Sequence, residues 1–185
     1  MDIFVDQKAA RNGAGTRENP LQTISAAARI ARPGDRVLVA PGVYREYVNP
    51  GKGGISGDFR IQYISQVKGG AVITGAEQVK GWEPYEKDVW TVKISNGIFG
   101  DYNPYTTLVE GDWYIPDRPA HTGEVYLNGK AMYEAYSLGE VLKPEVFLPS
   151  WDPDFTVYKW YTEQEDGNTV LYANFQGADP NAENV

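Results

Sequence analysis

The sequence predicts an all-β chain with one short capping helix, in which the start of a parallel β-solenoid is followed by an antiparallel β-sandwich. Three observations support this fold class. Helical apolar spacing occurs once near the start, short β-prone runs separated by loops follow, and aromatic-rich alternating strands dominate from residue 82 onward. We assign the cap and first coil to 1–75, the sandwich to 76–176 and a return segment to 177–185.

The first predicted element is a helix at 24–32. Apolar residues recur there at three- and four-residue spacing, which places them on one helix face. Thr23 precedes the run and can cap it by accepting a backbone N–H. Pro33 and Gly34 then end the helix by turn chemistry. A short amphipathic helix of this kind can cover the open end of a solenoid.

Three short β runs follow, at 36–40, at 59–65 and at Ala71–Thr74. The run at 36–40 is almost continuously apolar, which is typical of a strand buried on both faces. Short strands separated by loops, without helices between them, favour one coil of a parallel solenoid. An irregular antiparallel barrel remains open as the alternative. Because a coil cannot bury its own apolar faces, we expect further coils to follow this chain and an exposed apolar face where they stack.

The second part of the chain alternates apolar and polar residues, as half-buried antiparallel strands do. The strand near residue 92 places three apolar side chains on one face: Trp90, Val92 and Ile94. The dipeptide Asn128-Gly129 predicts a type I′ hairpin, because both residues tolerate positive φ. A second hairpin is predicted around Gly167. The strands of the two hairpins are at 125–127 with 130–133, and at 158–162 with 169–174.

Composition limits the possible partners. The net charge is −8 and the 17 basic residues are scattered, which argues against nucleic acid. We find no apolar run of the roughly 20 residues that a membrane helix needs. There is no cysteine, and the Asp152-Pro153-Asp154 segment is interpreted as a turn because it offers too few oxygens for calcium. We therefore expect a neutral ligand, no metal and no cofactor. The start of the chain lacks a secretory signal, so we expect a cytoplasmic protein.

Two sets of segments carry a resemblance to known families. The opening coil of pectate-lyase-type right-handed β-helix proteins is similar to Asn-Pro-Leu-Gln-Thr-Ile at 19–24, Ala-Arg-Pro-Gly-Asp-Arg-Val at 31–37 and Pro-Gly-Val-Tyr-Arg-Glu at 41–46. The N-terminal region of the β-xylosidases of glycoside hydrolase family 120 is similar to Phe-Gly-Asp-Tyr-Asn-Pro-Tyr at 99–105, Gly-Asp-Trp at 111–113, Val-Tyr-Leu-Asn-Gly at 125–129 and Tyr-Ala-Asn-Phe-Gln-Gly-Ala-Asp-Pro-Asn at 172–181.

The resemblance implies a fold and an activity. In that family a β-sandwich is inserted after the first coil of the β-helix. Two carboxylates on later coils carry out retaining hydrolysis of xylo-oligosaccharides, and such a pair lies roughly 5 Å apart. The matching region does not reach them, so we expect no catalytic residue within this chain and no activity from the chain alone. The remaining coils are its expected partner, and a homo-oligomer stays open.

Four residues are candidates for substrate binding. By resemblance to the family's Gly-Asp-Trp motif, Trp113 would form an aromatic wall for a xylose ring; a sandwich-core position is the alternative. Asn103 and Tyr105 lie in the same long loop and either bond sugar hydroxyls or hold the loop, with structural support favoured. Asp112 either accepts a sugar hydroxyl or caps a turn. The single histidine, His121, is interpreted as a surface or loop residue and not as a general base.

A second function class is compatible with the same residues. The chain can belong to a non-catalytic carbohydrate-binding or surface β-helix protein whose aromatic-rich sandwich is the binding module. Two carboxylates on later coils facing the Trp113 loop would favour the enzyme. A helix face without them would favour the binder.

Overall fold

The computed structural model describes residues 1–112 and 120–185. The chain divides into two compact units, Met1–Glu77 and Gln78–Val185. Strands dominate both units, in agreement with the all-β class. Residues 177–185 belong to the second unit, whereas the sequence suggested a separate return segment there.

The first unit contains five four-residue strands and one helix. In chain order they are β1 (Asp2–Val5), α1 (Ile24–Ile30), β2 (Arg36–Val39), β3 (Gly42–Arg45), β4 (Gln62–Ser65) and β5 (Ala71–Thr74). The helix begins where it was predicted, because Thr23 Oγ1 accepts the backbone N–H of Ala26 at 3.0 Å. It ends two residues earlier than predicted.

The strands of this unit stack in parallel at successive levels, three in one sheet and two in the other. One sheet has the order β1-β2-β4, and the other consists of β3 and β5. Arg36 pairs with Gln62 and Gly42 with Ala71, so the segment from β4 to β5 repeats the segment from β2 to β3. The sequence suggested roughly one coil, and the first sheet has β1, β2 and β4 stacked in order. Every strand pair described in this unit is parallel, which also disfavours the antiparallel-barrel alternative.

The inward faces of these strands form a core against α1. Val37 and Val39 of β2 are buried, together with Ile3 of β1 and Ala27 of the helix. The prediction that β2 is buried on both faces is wrong. Arg36 is exposed on the other face because its guanidinium pairs with an aspartate on β1 at 2.7 Å and stays in water.

The second unit is built around one five-stranded sheet with the order β10-β11-β12-β7-β6. Its pairs are antiparallel except for β10 with β11. The elements of the unit are β6 (Glu83–Glu86), β7 (Val89–Ser95), β8 (Tyr126–Leu127), β9 (Lys130–Ala131), β10 (Tyr133–Glu134), α2 (Leu138–Leu142), β11 (Lys159–Glu165) and β12 (Asn168–Asn174), with 3₁₀ helices at Asn96–Phe99 and Pro153–Val157.

Both predicted hairpins are confirmed. Strands β8 and β9 are joined by Asn128 and Gly129, with φ of 52° and 80°. Strands β11 and β12 are joined by Asp166 and Gly167, with φ of 47° and 76°. Positive φ at both central residues is the property of the I′ turns that suit the twist of antiparallel strands.

The sheet is covered on both faces. Trp90, Val92 and Ile94 share one face, as predicted, and pack with Trp160 against the β8–β9 hairpin. On the opposite face, Val141 of the unpredicted helix α2 closes a smaller cluster. The second layer of the predicted sandwich is the β8–β9 hairpin, a ribbon of two strands that are each two residues long.

The last residues of the chain cross the second unit as a strap, which we define as residues 177–185. The backbone N–H of Val79 donates to the carbonyl of Val185 at 2.8 Å. Asn181 Oδ1 accepts the backbone N–H groups of Gly81 and Trp82, both at 3.0 Å. The strap therefore ties the end of this unit to its beginning.

No helix within residues 1–112 and 120–185 has the length and apolar character that crossing a membrane requires.

Candidate functional site

Asn103 organises the long loop that follows the first 3₁₀ helix. Its Nδ2 donates to Thr169 Oγ1 at 2.9 Å and to Asn96 Oδ1 at 3.1 Å. Its Oδ1 accepts the backbone N–H of Tyr105 at 2.9 Å. Thr169 is fully buried. These bonds use both Nδ2 hydrogens, and one bond uses Oδ1, so the side chain supports the loop, which was the favoured role at the sequence level.

Tyr105 is an anchor between this loop and the sheet. Its ring makes edge-on contacts with Trp160 at 5.8 Å and with Phe99 at 5.9 Å. Its hydroxyl donates to the carbonyl of Glu124 at 3.0 Å. Burial raises the pKa of the Tyr105 hydroxyl. The phenol is thus held in the core and contributes its shape to the loop.

Gly123 permits this packing. A Cβ at this position would lie 2.8 Å from the Tyr105 ring, a distance that side chains do not tolerate. The absence of a side chain lets this segment approach the phenol. Sequence reasoning did not select Gly123, because an isolated glycine gives no sign of which residue approaches it.

Of the remaining two candidates, only Asp112 lies within the described residues. Asp112 is exposed and sits in a turn. Trp113, the predicted aromatic wall, falls in 113–119 and lies outside the described residues. The structure therefore brings Asn103 and Tyr105 together and puts Asp112 at the surface.

Two segments pair with each other, one before Asp112 in the chain and one after it. Val109 N–H donates to the Ala120 carbonyl, and Thr122 N–H donates to the Thr107 carbonyl, both at 2.8 Å. Leu108 and His121 form an antiparallel bridge between these bonds. These segments form a short two-stranded ladder, which we call the loop base (residues 107–109 and 120–122).

His121 anchors the loop base to the sheet through Glu134 of β10. Its Nδ1 lies 2.5 Å from Glu134 Oε1, and its backbone N–H donates to Glu134 Oε2 at 2.9 Å. Both side chains are mostly buried, with 25% and 17% exposure. The interpretation of His121 as a loop residue holds, but its side chain is anchored and partly buried. Glu134 was missed because its partner is 13 residues away and belongs to another element.

Asp152 confirms the turn interpretation of its segment. It precedes the 3₁₀ helix Pro153–Val157, and its carboxylate pairs with Lys130. Within residues 1–112 and 120–185, no cluster of three or more His, Cys, Asp or Glu side chains suited to a metal ion occurs.

The sequence of the second unit matches a known protein family. The family model described as "Glycoside hydrolase 120, insertion domain" matches residues 79–185, a span that begins one residue after the second unit does. The chain belongs to glycoside hydrolase family 120. The second unit is its insertion domain, and we use that name below.

One solved structure agrees with this assignment. The structure described as "The complex structure of XylC with xylose" is 38% identical to this chain, with a TM-score of 0.88. The match covers 100% of this chain and 31% of that chain. A second structure, described as "Glycoside hydrolase", is 19% identical, with a TM-score of 0.44, and covers 71% of this chain and 21% of that one. No curated protein matches the sequence significantly.

Proposed function

We propose that this chain is the N-terminal part of a retaining β-xylosidase-like glycoside hydrolase that acts on xylo-oligosaccharides. The observation that carries the proposal is the full-length similarity to a structure solved with xylose, at 38% identity. Because this chain spans 31% of that chain, the catalytic carboxylates are assigned to residues beyond Val185.

The apolar end of the first unit supports a continuation of the β-helix. Tyr44 is 2% exposed, whereas Ile73, its partner in the next level, is 55% exposed. Val37 is fully buried, whereas its partner Tyr63 is 38% exposed. Inward-facing positions are thus uncovered on the last level. A cavity of about 300 Å³ opens there, lined by Ile24, Val39, Val48, Pro50, Tyr63, Ile64, Ser65, Ala71 and Ile73.

Two carboxylates near the loop base are already engaged by other side chains. Glu134 is occupied by His121, and Glu124 accepts the hydroxyl of Tyr126. A retaining mechanism needs a free nucleophile and an acid/base roughly 5 Å apart. The insertion domain therefore has a binding role in this proposal, with Trp113 stacking on the C–H face of a xylose ring.

The experiment that tests the proposal has two parts. The longer protein that carries the downstream coils should hydrolyse an aryl β-xyloside with retention of configuration. Xylobiose binding is then compared by calorimetry in the longer protein and its Trp113→Ala variant. The control is Tyr85→Ala, since Tyr85 is a half-exposed aromatic residue on β6 of the same domain.

We expect Trp113→Ala to weaken binding by about 1–3 kcal/mol, the loss typical of a removed hydrophobic contact in a binding pocket, and Tyr85→Ala to leave it unchanged. A folded longer protein that binds xylobiose but hydrolyses no xyloside would point instead to the non-catalytic carbohydrate-binding function. If Trp113→Ala and Tyr85→Ala change xylobiose binding equally, Trp113 does not contact the sugar.

A further inference from the structure

The outer face of the β8–β9 hairpin carries exposed aromatic side chains. Tyr126 pairs with Ala131, and the Met132 N–H donates to the Val125 carbonyl at 2.8 Å. Successive side chains of a strand alternate between faces, so Tyr126, Ala131 and Tyr133 share the face opposite the buried Met132. Both tyrosines are more than one-third exposed.

Both phenols are held in place by their hydroxyls. Tyr126 donates to the carboxylate of Glu124, two residues earlier on the same face. The Tyr133 hydroxyl lies 3.0 Å from Ser150 Oγ. Ala131 between them has only a methyl group, so it leaves the ring faces uncovered. Diagonal neighbours on one face of an antiparallel pair are roughly 7–8 Å apart, a spacing that lets one extended ligand touch both rings.

Trp151 extends this face. Its side chain is fully exposed, although both of its neighbours contact the hairpin. Ser150 bonds Tyr133, and the Asp152 carboxylate pairs with Lys130 of β9. Lys130 also lies 3.8 Å from the centre of the Phe155 ring. Because Ser150 bonds Tyr133, the exposed indole adds apolar surface next to the tyrosine rings, and contiguous patches of this kind point to an interaction site.

We propose that the aromatic face formed by Tyr126, Ala131, Tyr133 and Trp151 binds a neutral sugar chain, as a contact additional to the Trp113 loop. The choice of a xylan-type chain rests on the proposed function.

The chemistry of the rim argues for a neutral polyhydroxylated ligand. Ring faces accept the C–H faces of pyranoses. The Glu124 carboxylate, which accepts from Tyr126, has further lone pairs for sugar hydroxyls, and the Lys130–Asp152 ion pair is adjacent to Trp151 in the chain. Two carboxylates against one ammonium, on a chain of net charge −8, disfavour acidic polysaccharides and nucleic acids. A sugar chain is the ligand class that uses both the apolar ring faces and the hydroxyl acceptors.

The test is retention of this 185-residue chain on insoluble xylan and its affinity for xylohexaose. The triple variant Tyr126→Ala/Tyr133→Ala/Trp151→Ala is compared with Tyr85→Ala, which removes an aromatic residue of the same domain outside this face. Unfolding curves show that each variant is folded. Tyr126→Phe/Tyr133→Phe is a second variant, which keeps the rings if the alanines fail to fold.

We expect the triple variant to bind at least about tenfold more weakly, equivalent to about 1.4 kcal/mol, while Tyr85→Ala is retained on xylan. In the longer protein, the triple variant should hydrolyse an aryl xyloside like the parent. Undiminished retention of a folded triple variant would overturn the inference. So would a change in oligomeric state without a change in xylan affinity, since the face would then be a protein interface.

Failure of the two proposals is distinguishable. Absence of xyloside hydrolysis by the longer parent protein counts against the proposed function alone. Loss of xylan retention in the triple variant is measured without hydrolysis and depends only on the aromatic face.

Discussion

At the scale of single residues, the loop of the insertion domain depends on one amide. Asn103 joins Asn96, Thr169 and the Tyr105 backbone by hydrogen bonds of 3.1, 2.9 and 2.9 Å. Thr169 in turn accepts from Gln164 and donates to Asn96. A polar network of this kind fixes a conformation only while every member is satisfied.

Asn103→Ala should therefore destabilise the insertion domain. It leaves the buried Thr169 hydroxyl and the Tyr105 N–H without this partner, at an expected loss of about 1–3 kcal/mol in the free energy of unfolding. Urea unfolding followed by tryptophan fluorescence measures the loss. Asn168→Ala, at the exposed hairpin turn, is the matched control and should change stability by less than about 0.5 kcal/mol. Equal losses would refute the supporting role of Asn103.

Tyr172 gives a prediction about alkaline pH. Burial first, and then the hydrogen bond to Glu163, raise the pKa of Tyr172 from 10.0 to about 12. The folded state then holds this proton more tightly than the unfolded state does, so stability is lost as the pH rises from about 10 to about 12. Tyr172→Phe removes the titration, and its unfolding free energy should fall less steeply across that interval.

Urea unfolding of both proteins at a series of alkaline pH values gives the comparison. Glu163→Gln should lie between them, because it removes the charged hydrogen-bond acceptor while burial remains. Identical pH profiles for the parent and Tyr172→Phe would show that this phenol does not contribute.

At the scale of elements, local chemistry allowed the turns and the helix to be predicted. Thr23 caps the N-terminus of α1, and Pro33 follows its last turn. Asn128-Gly129 specifies a hairpin turn because both residues adopt positive φ. Such signals act within a few residues of the chain. Strands β4 and β5 were predicted from their own β runs, but their stacking as a further level was not, because β4 pairs with β2 across a long connection.

The residues of the candidate site were likewise predicted only in part from the sequence. Asn103 and Tyr105 were selected from the loop sequence, but the partners that hold them include Thr169 of β12 and Trp160 of β11. Glu134 and Gly123 were not predicted, because their importance comes from partners on other elements. Contacts of this type depend on the tertiary fold and leave no periodic pattern in the sequence.

The prediction at the scale of elements concerns the strap (residues 177–185). Asn181 accepts from Gly81 and Trp82 and returns a bond from its Nδ2 to the Trp82 carbonyl at 2.8 Å. Asn181→Ala removes all three bonds and should lower the unfolding free energy of the domain by about 1–3 kcal/mol.

Asn181→Asp is the matched control for the strap. It keeps the oxygen acceptor and loses only the donor, so its loss should be smaller. Thermal unfolding of the two variants ranks them. An alanine variant as stable as the parent would mean that the strap follows the fold without contributing to it.

At the scale of the whole molecule, the first unit ends on an uncovered level of inward-facing side chains. Ile73→Lys should leave the stability of this chain within about 0.5 kcal/mol and reduce its self-association, because a charged edge resists pairing. In the longer protein the same lysine would be buried against the next coil without a partner, which is costly. We therefore expect a loss of folded longer protein.

Val43→Lys is the control, since Val43 is as exposed as Ile73 but faces outward, next to the buried Tyr44. It should be tolerated in both lengths of protein. Size-exclusion chromatography and soluble yield provide the readouts. If Ile73→Lys is tolerated in the longer protein, the next coil does not stack on β5.

The hydrogen bond between Val79 and Val185 brings together two positions of the insertion domain that are far apart in sequence. Residues 79 and 185 lie side by side, so splicing the segment between them into a host chain leaves a short gap, and loop closure adds little entropy. A module with adjoining ends can be acquired, exchanged or deleted during evolution while the path of its host is kept. The same property allows the domain, with its aromatic face, to be inserted by protein engineering into a surface turn of another scaffold.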